Sequence, residues 1–196
     1  MIKESTATVF VFAQIDAVWN LGLIYHPRLQ QWMNPGGHVE NENEADAAVR
    51  EVLEETGLLA ELLRPPGLPL PMGYPVPEVV RPWWMNELAV PADGHTPEPH
   101  IHVDHQYLAV AAQPTPVAAP EHPFRWCREA NVDNLDIVAD TKMLAAMLLP
   151  QMAQIAAAHG RLLRTGAAAE PVADPRRRGP SPSGRAAADA TFPAGE

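Results

Sequence analysis

The sequence predicts an α/β domain, and three observations carry that expectation. Thr6 to Gln14 and Trp19 to Tyr25 are rich in Val, Phe, Ala and other strand-compatible residues. His100 to Ala112 begins with polar and apolar residues in alternation, the period of a half-buried strand. Two further segments read as helices, one closing at Gly57 and one spanning Ile137 to Ala158.

Taken in order, the first two strands join around Asp16. His26-Pro27-Arg28 then forms a short turn, and Trp32-Met33-Asn34-Pro35 leads into Gly36-Gly37. Asn43 suits the N-cap of the first helix, because its side chain accepts from a first-turn N–H. Gly57 suits the left-handed position beyond the C-terminus. Val49, Val52 and Leu53 recur at the spacing of one buried face. Glu51, Glu54 and Glu55 stand at i, i+3 and i+4, so their carboxylates converge on another face. Like charges at those spacings destabilise a helix by roughly 0.2–0.5 kcal/mol per pair, and no Lys is interspersed. An oxygen cluster of this kind suits a hard divalent cation.

Leu58 to Arg64 follows as a candidate strand. Residues 65–99 contain 10 prolines, which break both ladders and helices. Trp83-Trp84-Met85 is the strand-like island within them. Trp83 and Trp84 are candidates for stacking a nucleobase, with core packing the alternative for at least one of them. Phe124 to Arg128 reads as a strand carrying Cys127, a small buried hydrophobe that has no second cysteine to pair with. In the last helix Met143, Leu144, Met147, Leu148, Met152 and Ile155 are spaced to bury one side, and Pro150 interrupts it. From Arg161 onward Ala, Pro, Gly, Ser and Arg dominate. We therefore expect a domain over 1–160 and a disordered tail over 161–196.

The chain carries a formal charge of −10. Residues 1–160 hold 8 of the basic and 20 of the acidic residues, so the domain is a poor partner for a nucleic-acid backbone. No stretch reaches the roughly 18 apolar residues of a membrane span. The expected location is the cytoplasm, with neither nucleic acid nor membrane as partner; a homodimer is left open.

The spacing around the acidic helix is more specific than its composition. Gly36, five residues, Glu42, seven residues, then Arg50-Glu51-Val52-x-Glu54-Glu55-x-Gly57-Leu58 matches every fixed position of the Nudix box. At about 5–7% per residue type, seven fixed residues arise by chance with a probability far below about one in a million. The chain thus resembles the Nudix hydrolase family, with flanking likeness over most of residues 1–160. One departure is visible. The box glycine is usually the second of the Gly-Gly pair, whereas the count here starts at Gly36, so the loop to Arg50 is one residue short.

The resemblance implies an α/β/α sandwich with a mixed central sheet. It further implies Mg²⁺-dependent hydrolysis, with Mn²⁺ as a substitute, of a nucleoside diphosphate linked to another moiety. Glu51, Glu54 and Glu55 would hold the cation, with the Gly36 carbonyl as a further ligand. Arg50 would brace Glu54 and Glu42, and Glu42 and Gly57 would serve the box structurally. A fourth carboxylate is expected from the loop before the Phe124 strand, as Glu121, with Glu98 its rival. The general base stays open among Glu51, Glu54, Glu55 and Glu121. Arg28 precedes the Trp-x-x-Pro-Gly-Gly run, where relatives carry a basic residue, and is either a phosphate contact or a surface arginine; His38 follows it.

His100, His102 and Asp104 share one strand face. We expect them to line the substrate cleft; as a zinc site they would need a fourth ligand from His95 or Glu98. The alternative function is non-hydrolytic binding of a nucleotide or ADP-ribose by a sensor. Such domains generally lose box carboxylates, and here all are present.

Overall fold

Strand β1 (Lys3–Ile15) runs through the middle of the molecule. In this computed structural model, which describes residues 2–167, every other layer is placed by what β1 pairs with and what its two faces bury. Asp16 and Ala17, both with positive φ (50° and 63°), turn the chain directly into the antiparallel strand β2 (Val18–His26). Positive φ at both turn residues matches the right-handed twist of the flanking strands.

On its other side β1 pairs in parallel with β7 (His100–Ala111) over Lys3 to Phe12. Strands β3 (Gln31–Met33) and β8 (Phe124–Arg128) extend the sheet beyond β2. Strands β5 (Ala60–Leu62) and β6 (Trp84–Val90) pair with β7. Strand β4 (Gly36–His38) pairs with Thr6 to Thr8 of β1. The result is one mixed eight-stranded sheet.

The pleat of β1 separates two cores. Ala7, Val9, Val11 and Ala13 point to one face and pack with Ala45, Ala47, Ala48 and Val52 of helix α1 (Glu44–Thr56). Phe10 and Phe12 point to the other, against Ala145 and Leu148 of helix α2 (Ala139–Leu148) and Met152 of helix α3 (Met152–Ala167). Each fully buried Val, Leu, Phe or Met among them contributes roughly 1.5–3 kcal/mol. This is the expected α/β/α sandwich.

Local expectations hold in part. Asn43 caps α1 by accepting from the N–H groups of Ala45 and Asp46, and Gly57 ends it at φ 69°. A side chain at Gly57 would also strike the Ala118 carbonyl, 2.1 Å from the ideal Cβ position. Cys127 is buried on β8. Pro150 breaks the last helix, through a short 3₁₀ turn over Leu149–Gln151.

The buried faces differ from expectation. Val49 and Leu53 are 40% and 36% exposed, because α1 docks through its alanines, which let it approach the sheet closely. Met143 and Met147 are 75% and 43% exposed. The break at Pro150 leaves Thr141, Ala145 and Leu148 as the inward face of α2. Strands β3 and β4 carried no sequence signal of their own, and β6 extends well past the Trp-Trp-Met island. Helix α3 continues to Ala167, past the start of the disordered tail expected over 161–196; the rest of that tail, from 168, lies outside the described residues. No described helix is long and apolar enough to cross a membrane.

Candidate active site

Helix α1 is held against β4 by the residues that carry its charge. The Gly36 N–H donates to Glu55 Oε2 at 2.8 Å. Close approach to backbone requires Gly36, where a Cβ would lie 2.3 Å from the Ala7 carbonyl; a Cβ on Gly37 would lie 2.3 Å from Glu51 Oε1, the end of a side chain. The short loop therefore uses both members of the pair, one against the sheet and one against the carboxylates.

Arg50 is the hub. Its Nε donates to Glu42 Oε1 at 2.8 Å, its Nη1 to Glu51 Oε1 and Glu54 Oε2, each at 2.8 Å, and its Nη2 to the His38 carbonyl at 3.0 Å. The bracing of Glu42 and Glu54 was expected; Glu51 and the His38 carbonyl are additional. One guanidinium thus serves three carboxylates.

Glu55, 8% exposed, has no such partner. Burial first, then the charges of Glu51, Glu121 and Glu54, push its carboxyl up to about 8 against the pull of the Gly36 N–H. Burial also raises Glu51, opposed by Arg50. A set of hard oxygen donors, crowded until two of them resist ionisation, fits a divalent cation bound through Glu51, Glu54 and Glu55. The Glu121 N–H donates to the Glu54 carbonyl at 3.1 Å and brings its loop to this end of α1. Its neighbour His122, which the sequence did not single out, places Nε2 3.4 Å from Glu55 Oε1.

Beside the box lies a cavity of about 560 Å³. Gly36, Gly37 and Glu55 border it, as do Arg28, His38, His102 and Asp104. Its floor follows from the parallel register of β1 and β7, in which Glu4 pairs with His102, Thr6 with Asp104 and Thr8 with Gln106. One face of each strand is polar along this half and apolar along the next, where Phe10 pairs with Leu108. Asp104 Oδ1 accepts from the hydroxyls of Thr6 (3.1 Å) and Thr8 (2.9 Å), and its Oδ2 from Gln106 Nε2 (3.1 Å). The acceptors Asn34 Oδ1 and Gln106 Oε1 are buried at the cavity with no protein partner.

Other candidates are placed elsewhere. Trp83 and Trp84 are not among the residues lining this cavity; they pack beside the Phe10 core, and Trp83 Nε1 donates to the Leu63 carbonyl at 2.7 Å. His100 is buried, and its Nδ1 lies 2.9 Å from the Glu98 carbonyl. The polar run Glu4, Thr6, Thr8 was the available signal for the cavity floor, since its period of two matches that of His102, Asp104, Gln106. Asn34, His122 and Asp93 had no comparable signal.

A model of the NUDIX domain matches residues 9–146. A NUDIX-family hydrolase from Clostridium perfringens aligns at 20% identity and TM-score 0.56, over 78% of this chain and 99% of that one. A NUDIX hydrolase from Nitrosomonas europaea aligns at 16% identity and TM-score 0.50, over 74% and 86%. At this identity the likeness is one of fold. No curated protein matched the sequence.

Proposed function

The chain belongs to the Nudix family as a pyrophosphohydrolase, and from that premise we propose that it cleaves the diphosphate of a nucleoside diphosphate linked to another moiety. The observation that carries this reading is the intact carboxylate set, Glu51 and Glu54 held by Arg50 and Glu55 bordering a cavity of about 560 Å³. That volume is within the usual range for small-molecule sites. These glutamates, with the Gly36 carbonyl as a further ligand, would hold Mg²⁺ or Mn²⁺, which would supply positive charge to offset the diphosphate and make water a better nucleophile.

The chain's own residues then have separable tasks. Arg50 holds the carboxylates of Glu51 and Glu54 in place. Glu55, with its raised affinity for a proton and His122 beside it, is suited to hold a proton taken from water, and Glu121 is the second candidate for that role. Arg28, which lines the cavity, offers a cation to substrate phosphate. His38, His102 and Asp104 give the cavity a polar wall for the nucleoside moiety. We assign Glu42 and Gly57 to holding the box together.

The test is product release with Mg²⁺ or Mn²⁺ across (d)NTPs, oxidised dGTP, ADP-ribose, NADH, nucleotide sugars and dinucleoside polyphosphates. At least one should be hydrolysed in a metal-dependent manner, and Glu54→Gln and Glu55→Gln should each cut turnover by ~100-fold or more. Near-wild-type turnover in both variants would overturn the assignment.

A further inference from the structure

His100 and His102 of β7 point into a cluster outside the carboxylate set of α1. His100, His102, His38 and Glu4 each direct one ligand atom to a common point, all four atoms lying within 4.8 Å of one another. His100 Nε2 is 3.0 Å from His102 Nε2 and 3.3 Å from Glu4 Oε2; His38 Nε2 is 3.1 Å from Glu4 Oε2. Zinc with bonds of about 2.0–2.1 Å holds tetrahedral ligands roughly 3.3 Å apart. The three spacings of 3.0–3.3 Å match that shell.

The chemistry of the donors agrees. The partner of His100 Nδ1 is a carbonyl, which only accepts, so Nδ1 carries a proton and neutral His100 presents a bare lone pair at Nε2. That lone pair faces a second imidazole, the Glu4 carboxylate and, at 3.7 Å, Asp93 Oδ2. His100 is fully buried, and its lone pair is satisfied either by an N–H from His102 or by one cation shared among these donors. A carbonyl fixing the tautomer of a ligating histidine is the usual outer shell of a metal centre. Asp93 is itself an oriented anion, accepting from the N–H groups of His95 (2.8 Å) and Thr96 (2.9 Å).

We propose that Glu4, His38, His100 and His102 bind a zinc-class divalent cation in a closed, structural site separate from the carboxylates of α1. Three imidazoles and one carboxylate favour zinc over Mg²⁺, which prefers oxygen and water. The two ligands that the strand lacks in sequence come from β1 and β4, so the metal staples β4, and with it Gly36, to β1 and β7. The site exists whether or not the neighbouring cavity hydrolyses anything.

Full-length protein purified without added metal and dialysed should retain about one zinc per chain by elemental analysis. Chelation should lower Tm by several degrees, with recovery on adding Zn²⁺ but not Mg²⁺. Cobalt(II) should give the intense visible absorption of tetrahedral coordination. His102→Ala and the milder Glu4→Gln should each weaken zinc retention at least ~10-fold while remaining folded by circular dichroism. Absence of stoichiometric zinc together with a Tm indifferent to Zn²⁺ would overturn the proposal and leave the His102 N–H as the partner of the His100 lone pair. Equal zinc retention by both variants would overturn it as well.

Discussion

The Arg50 guanidinium donates to the main-chain carbonyl of His38 at 3.0 Å, and so joins the carboxylate helix to the strand whose imidazole faces Glu4. The same guanidinium spans Glu42, Glu51 and Glu54. Arg50→Lys keeps the charge and loses the fork. A lysine replaces at most part of the four contacts, and each lost charge-assisted bond is worth roughly 1.5–3 kcal/mol. The variant should therefore lose about 2 kcal/mol or more in denaturant unfolding and require more Mg²⁺ for half-maximal turnover. A variant matching wild type in both measurements would show that charge alone suffices.

Glu55 sets a pH dependence. Its folded-state value of about 8 lies above the ordinary carboxyl value of 4.5. Between these the folded state keeps a proton that the unfolded chain has released, so this group makes stability fall as pH rises from about 5 to about 8. In Mg²⁺-free buffer, Glu55→Gln should flatten that decline relative to wild type, and Mg²⁺ should stabilise wild type more at the upper end. Parallel Tm–pH curves for the two proteins would rule this out.

Trp83 is a packing residue that also satisfies the Leu63 carbonyl. Trp83→Phe removes the indole N–H and should cost roughly 0.5–1.5 kcal/mol or slightly more, with KM unchanged for whichever substrate the screen identifies. A raised KM at unchanged stability would instead place the indole against substrate.

Gly36→Ala drives a methyl into the Ala7 carbonyl. The backbone there belongs to the β1–β4 ladder and yields little, so a loss of about 1–3 kcal/mol is expected. Gly37→Ala meets the movable end of Glu51 instead, and should act on turnover more than on Tm. Equal stability losses for the two would mean that Glu51 is as immobile as the ladder.

The sequence by itself determined the family, the helix with its Asn43 and Gly57 caps, the grouping of the box glutamates and the run of strands. Those are local matters: spacing along a helix, cap chemistry and a period of two act between residues close in the chain. Even the polarity of the future cavity floor was written in the alternation of Glu4, Thr6, Thr8 and of His102, Asp104, Gln106. Which faces were buried was decided by docking, so Val49 and Met143 face solvent while small alanines carry the contact. Only the tertiary structure brought Glu4 and His38 to His100 and His102 of β7. The parallel pairing of β1 with β7 joins residues almost a hundred positions apart, and a register between distant strands is set by the packing of both sheet faces at once.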